Sequence, residues 1–144
     1  MENQIDINAL RRAASAYQNS LTFAQKVEAK PPAEREFYAF ESARAAVIQH
    51  FECAYELCWK TLTRFLEADM GAGVDILTRK DLFRISAEKQ LIPDCSRWFE
   101  FHAARNKTSH MYNEGIANEV YETAKTFSAD LLVLIQNLEK RQRS

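Results

Sequence analysis

A chain of 144 residues, 47% apolar and 27% charged, is long enough for one buried core and ordinary for a globular domain. Nineteen basic against twenty acidic side chains leave a net charge of −1, which argues against a broad non-specific nucleic-acid surface but not against one phosphate pocket. No apolar run nears the roughly 20 residues that span a bilayer. Met1-Glu2-Asn3-Gln4 also lacks the basic start of a signal peptide, so a cytoplasmic protein with no membrane partner is expected.

Glycine and proline occur only at Pro31-Pro32, Gly71-Ala72-Gly73, Pro93 and Gly115, as punctuation between long helical segments. Asp6 is a plausible N-cap for a first helix reaching about Ala29, with Ile7, Leu10, Ala14, Tyr17, Leu21, Ala24 and Val27 as its apolar stripe. The pattern predicts a second helix from about Ala33 to Asp69, striped by Phe37, Phe40, Ala43, Val47, Phe51, Ala54, Cys58, Leu62 and Phe65. At 1.5 Å per residue it would be roughly 50 Å long. Its broad stripe makes it the best candidate for an interface with another chain. Gly71 and Gly73 stop it, and Val74 to Leu77 read as loop.

Thr78 opens a short helix to about Gln90, and Pro93 closes that segment. Asp94 or Ser96 caps a fourth helix carrying Trp98, Phe101 and Ala104. A last helix follows Gly115, with Ile116, Val120, Ala124, Phe127, Leu131, Leu134 and Leu138 on one face. The expected fold is all-α: an up-and-down antiparallel four-helix bundle with an additional short connecting helix.

Several motifs carry little chemistry. Cys53, Cys58 and Cys95 fit no zinc spacing and read as buried, reduced thiols. His50-Phe51-Glu52 resembles the start of a zinc-deaminase signature, but no Pro-Cys-x-x-Cys follows. Gly71-Ala72-Gly73 lacks the lysine of a phosphate loop. Lys60 and Arg64, one turn apart, either line a phosphate-binding face or are solvated helix surface. No metal ligand set and no cofactor motif is found.

The informative stretch is Arg105-Asn106-Lys107-Thr108-Ser109-His110-Met111-Tyr112. On a continuous helix Arg105 and His110 would lie about 140° apart, so they share a site only if the helix stops near Ser109, as Asn113-Glu114-Gly115 suggests. Asn106, one turn before His110, is placed to hydrogen-bond its imidazole. As chemistry, the pair suits metal-independent phosphodiester cleavage in RNA: His110 moves a proton and Arg105 stabilises charge on phosphorus. The competing reading pairs Arg105 with a glutamate such as Glu56 or Glu119, and lets His110 and Tyr112 close a helix corner. Spacing alone leans slightly to the second.

Val47-Ile48-Gln49-His50-Phe51-Glu52, then Tyr55-Glu56-Leu57-Cys58-Trp59-Lys60-Thr61-Leu62, resembles the long helix of the nucleotidyltransferase substrate-binding protein family. Gln90-Leu91-Ile92-Pro93-Asp94 through Trp98, and Arg105 through Glu114, are similar to that family's next landmarks. The family is HepT-like, within the HEPN superfamily, and its pattern is Arg, a polar residue, several others, then His-x-Tyr. The resemblance implies a single helical bundle domain over residues 1–144 and a homodimer. It implies a separately encoded minimal nucleotidyltransferase as partner, with nucleotide or RNA as possible ligands. In toxin members of the family the Arg and His cleave RNA, and the Tyr is the residue modified with AMP. Carried over, Arg105 and His110 are the catalytic pair, Asn106 the support and Tyr112 the modifiable phenol. Two functions follow: a substrate-binding partner of the transferase, or an RNase toxin that the transferase neutralises.

Overall fold

The computed structural model describes residues 5–34, 36 and 38–143. Five α-helices carry the fold: α1 Asn8–Ala29, α2 Ala39–Met70, α3 Arg79–Glu88, α4 Cys95–Asn106 and α5 Glu114–Arg143. Their starts follow local chemistry. Asp6 Oδ1 accepts from the Asn8 N–H at 2.9 Å. Thr78 Oγ1 accepts from Asp81 N–H at 3.1 Å, Asp94 Oδ1 from Ser96 N–H at 3.0 Å, and Asn113 Oδ1 from Ile116 N–H at 3.0 Å. Each bond satisfies a helix-entry donor that the helix itself leaves open.

Two expectations about boundaries need correction. The second helix begins at Ala39 rather than Ala33, after a 3-10 turn over Pro32–Glu34. Tyr38 holds φ at 68°, a left-handed conformation that an aromatic residue seldom adopts and that interrupts the helical path. No glycine or proline marks the break, so the apolar spacing read straight through it; Phe37 lies outside the described residues. Val74–Ile76 is a 3-10 turn rather than loop, and it buries Val74. Gly71 and Gly73 do stop α2, with φ of 84° and 102°.

Side-chain pairs give the directions of the helices. Ile5 with Gln142, Gln18 with Ser128 and Tyr121 with Glu28 set α1 antiparallel to α5. Arg97–Asp130 and Lys107–Glu119 set α4 antiparallel to α5. Arg44–Glu114 and Arg141–Asp69 run α2 parallel to α5. The result is an up-and-down bundle of α1, α2, α4 and α5, with α3 as the short connector.

Edge-to-face rings knit its centre, with Phe51 5.1 Å from Phe127 and Phe101 5.1 Å from Phe127. Trp98 is wholly buried beside them. The broad stripe of α2 is covered within the chain, because α1, α3, α4 and α5 all pack on it. Met70, at its C-terminal end, is the exposed large apolar residue that the described part of α2 presents. No helix among the described residues is long and apolar enough to cross a membrane.

Candidate functional site

Arg105 leaves the last turn of α4 one turn beyond buried Phe101 and beside buried Ala104, so its guanidinium is directed toward α2. There Arg105 Nε donates to Glu56 Oε1 at 3.1 Å, and Nη1 lies 3.4 Å from Glu52 Oε2. Glu52 and Glu56 are one turn apart on α2, a spacing at which like charges repel unless a cation stands between them. Arg105 is that cation.

Thr108 completes the clamp. Its Oγ1 accepts from Arg105 Nη1 at 3.3 Å and lies 2.9 Å from Glu52 Oε2. The other oxygen of Glu56 accepts the Trp59 indole N–H at 2.8 Å. The pairing of Arg105 with Glu56 is therefore present, while Glu119 pairs with Lys107 instead.

The helix stops earlier than the sequence suggested. α4 ends at Asn106, and Thr108–His110 forms a 3-10 turn. His110 is exposed at its end, with Nδ1 3.5 Å from the Tyr112 hydroxyl and the rings meeting edge to face at 6.0 Å. Tyr112 is 86% exposed, the most exposed large aromatic among the described residues. No hydrogen bond or ion pair among the described residues joins Arg105 to His110; the clamp on α2 holds Arg105 away. Asn106 does not support His110 either. Its side-chain amide is 3.5 Å from His102 Nε2, because the break after Asn106 takes His110 off the helical register.

His102 is the group that sequence reasoning missed. It precedes Arg105 by three residues and Asn106 by four, so all three share one edge of α4. Its Nδ1 is 2.8 Å from the hydroxyl of buried Tyr55. Burial, then the positive charge of Arg79, hold its pKa below the ordinary 6.5, with Arg105 and Lys80 acting in the same direction. His102 is accordingly held toward its neutral form, with the Tyr55 hydroxyl at Nδ1 and the Asn106 Nδ2 at Nε2. The available signal was His-x-x-Arg-Asn on one helix facing Tyr55-Glu56 on another.

The remaining candidates lie elsewhere. Lys60 and Arg64 are exposed on α2, and among the described residues neither contacts Arg105, Asn106, His110 or Tyr112; the Lys60 ammonium sits 5.7 Å from the Trp59 ring centre. Of the cysteines only Cys58 is buried. Cys53 is exposed because it falls off the apolar stripe of α2, and Cys95, the first residue of α4, is half-buried against the core. Among the described residues no group of three or more His, Cys, Asp or Glu side chains is placed to hold a metal ion.

The profile of the family described as nucleotidyltransferase substrate binding protein like matches residues 6–140. The chain belongs to this family. The matched span holds every residue of the Arg105 clamp and the His110–Tyr112 corner. Within the nucleotidyltransferase substrate-binding-like family, the chain is 35% identical over 101 residues, 69% of each protein, to the probable ribonuclease HepT of Haemophilus influenzae. It is also similar, with a TM-score of 0.80 and 27% identity, to a solved Haemophilus influenzae structure described as revealing the fold of a substrate binding domain of a nucleotidyltransferase. That likeness covers 93% of this chain and 99% of the other.

Proposed function

We propose that this chain is the helical subunit of a two-component nucleotidyltransferase, binding substrate or nucleotide beside a separately encoded minimal transferase. Its phosphate-handling site is the corner running from Arg105 to Tyr112. The observation that supports this most is a half-exposed arginine held between Glu52 and Glu56, at the foot of a turn that presents His110 and Tyr112 to solvent.

A guanidinium shared by two carboxylates sits in an excess of negative charge. It exchanges a partner for an incoming phosphate at small cost, because the released carboxylate returns to water. His110 then stands where it accepts the Tyr112 phenol proton as that oxygen attacks the α-phosphorus of ATP. The new O–P bond forms as the bond to pyrophosphate breaks, which leaves AMP on Tyr112. The test is co-purification with an adjacently encoded nucleotidyltransferase, followed by mass analysis after incubation with ATP. A mass gain of one AMP that Tyr112→Phe abolishes supports the reading; no complex and no gain overturns it.

The likeness to a probable ribonuclease favours a second reading, a metal-independent RNase neutralised by that transferase. His110 would take the 2′-hydroxyl proton as that oxygen attacks phosphorus, the bond to the 5′-oxygen would break, and a 2′,3′-cyclic phosphate and a 5′-hydroxyl would result. Arg105 would stabilise the charge on the phosphoryl oxygens. In this reading two copies of the chain bring two such corners face to face as a homodimer. RNA cleavage in EDTA that His110→Ala abolishes supports it. Cleavage unchanged in His110→Ala and Arg105→Ala marks a contaminant, and a monomer near 16.6 kDa in light scattering removes the dimer.

A further inference from the structure

Arg79 differs from the other half-buried or buried arginines. Arg44, Arg97, Arg105 and Arg141 each hold a carboxylate. Arg79, the first residue of α3, has no hydrogen-bond or ion-pair partner among the described residues, and its Nε is buried without an acceptor. Its guanidinium lies 3.4 Å from the centre of the Trp59 ring. Stacking on an indole attracts the cation but satisfies none of its N–H donors.

The neighbouring acids are already committed. Glu56 takes the Trp59 indole with one oxygen and Arg105 with the other, and Asp81 pairs with Arg84 at 3.2 Å. Lys80 follows Arg79 and sits 5.7 Å from the Phe99 ring. Both cations stand in the first turn of α3, where the helix dipole opposes positive charge, so the helix gains nothing from them. Burial first, and then the field of Arg79 with smaller contributions from Arg105 and Lys80 against that of Glu56, disfavours the charged form of His102. Arg79 and Lys80 thus stand side by side with no carboxylate partner among the described residues.

We propose that Arg79 stacked on Trp59, together with Lys80, forms a nucleoside-phosphate subsite that continues from Arg105 across α2 and α3. The guanidinium offers its free face to a base and its terminal nitrogens to a phosphate, as arginine does in nucleic-acid recognition. This inference rests on the phosphate-handling reading of the Arg105 corner, and it gives that corner a second, adjacent contact. A bound single strand would span both; a free nucleotide would set its base at Arg79 and its phosphate toward Arg105.

The test uses the fluorescence of the full chain, in which Trp98 is wholly buried and Trp59 is half-buried and reports on the subsite. AMP, ATP and a five-nucleotide 2′-O-methyl RNA, which cannot be cleaved through its 2′-oxygen, are titrated separately. Arg79→Ala should weaken binding at least about tenfold with the thermal midpoint unchanged. Arg79→Lys should fall between, and Arg12→Ala on α1 should bind as the wild type. Should Arg79→Ala lower the midpoint, Arg79→Met, which keeps an apolar stem without the stacked guanidinium, replaces it.

An oligonucleotide bound far more tightly than ATP assigns the subsite to a strand, and equal or tighter ATP binding assigns it to free nucleotide. Binding in the Arg79 variants equal to wild type overturns the subsite, as does failure of the wild type to bind any probe. Loss of binding in Arg105→Ala alone overturns the subsite and leaves the Arg105 reading standing.

Discussion

Two arginines, each holding carboxylates across a helix interface, show how one residue type serves different ends. Arg44 on α2 is 7% exposed. Its two terminal nitrogens donate to Glu114 at 2.7 and 3.0 Å, and one also reaches Asn118 at 2.6 Å. Those bonds pin α2 to the first turn of α5, where a carboxylate also suits the helix dipole. The hydrogen bond with Glu114 raises the Arg44 pKa and lowers that of Glu114.

Arg105 has a 35% exposed side chain and shares two carboxylates with single, longer contacts of 3.1 and 3.4 Å. Solvent reaches it, and so can an anion. A buried guanidinium held by both oxygens of one carboxylate is architecture, whereas a half-exposed one on single, longer contacts is exchangeable.

Mutation can break this contrast. The largest effect expected is on activity: Arg105→Ala or His110→Ala should lower whichever reaction the corner performs by at least about 100-fold, with the thermal midpoint little changed. A loss of folding in Arg105→Ala would place Arg105 with Arg44 as architecture. Arg44→Ala should do the reverse, costing about 2 kcal/mol of stability in denaturant titration while the activity of the remaining folded protein is kept.

Glu56→Gln sharpens the comparison further, because it removes one of the two charges competing for Arg105. Phosphate or nucleotide should bind a few-fold more tightly, read by titration at low salt. An unchanged affinity would mean that the clamp does not compete with ligand. The smallest effect belongs to His102. Its folded pKa is held below the 6.5 of the unfolded chain, so on acidification the unfolded state takes up the proton first. Stability is therefore greatest above that value and declines as pH falls below it. His102→Gln should flatten the decline between pH 7 and 5 in thermal melts.

How far the sequence carried differs between helices and side chains. The stripe of Leu10, Ala14, Tyr17, Leu21, Ala24 and Val27 is buried along α1 as its spacing indicates, and Thr78 and Asp94 cap α3 and α4. Periodicity and capping are local, so one strand of text holds them. The break at Tyr38 carried no glycine or proline to announce it. Cys53 fell off the stripe that was expected to bury it.

The octapeptide stood out because it gathers a cation, an imidazole and a phenol at a helix end, although spacing alone leans slightly to the reading in which they only close the corner. Of its partners, Glu56 is one of the two glutamates that the sequence offers for Arg105, and Glu52 is not among them. Glu52 and Glu56 lie some fifty residues earlier, and only the antiparallel packing of α4 on α2 brings them to Arg105. Asn106 turned to His102 rather than His110 for a similar reason: the helix ended at Asn106 itself.

The sequence by itself determined the helices, their buried faces and the family to which the chain belongs, since each is written in short-range spacing and local motif. Tertiary structure alone decided which charges neutralise one another. Arg44 is locked, Arg105 is lent to two carboxylates and Arg79 rests on an indole with no acid partner among the described residues. Pairing depends on distance and burial after folding, and neither is a property of any residue's place in the chain.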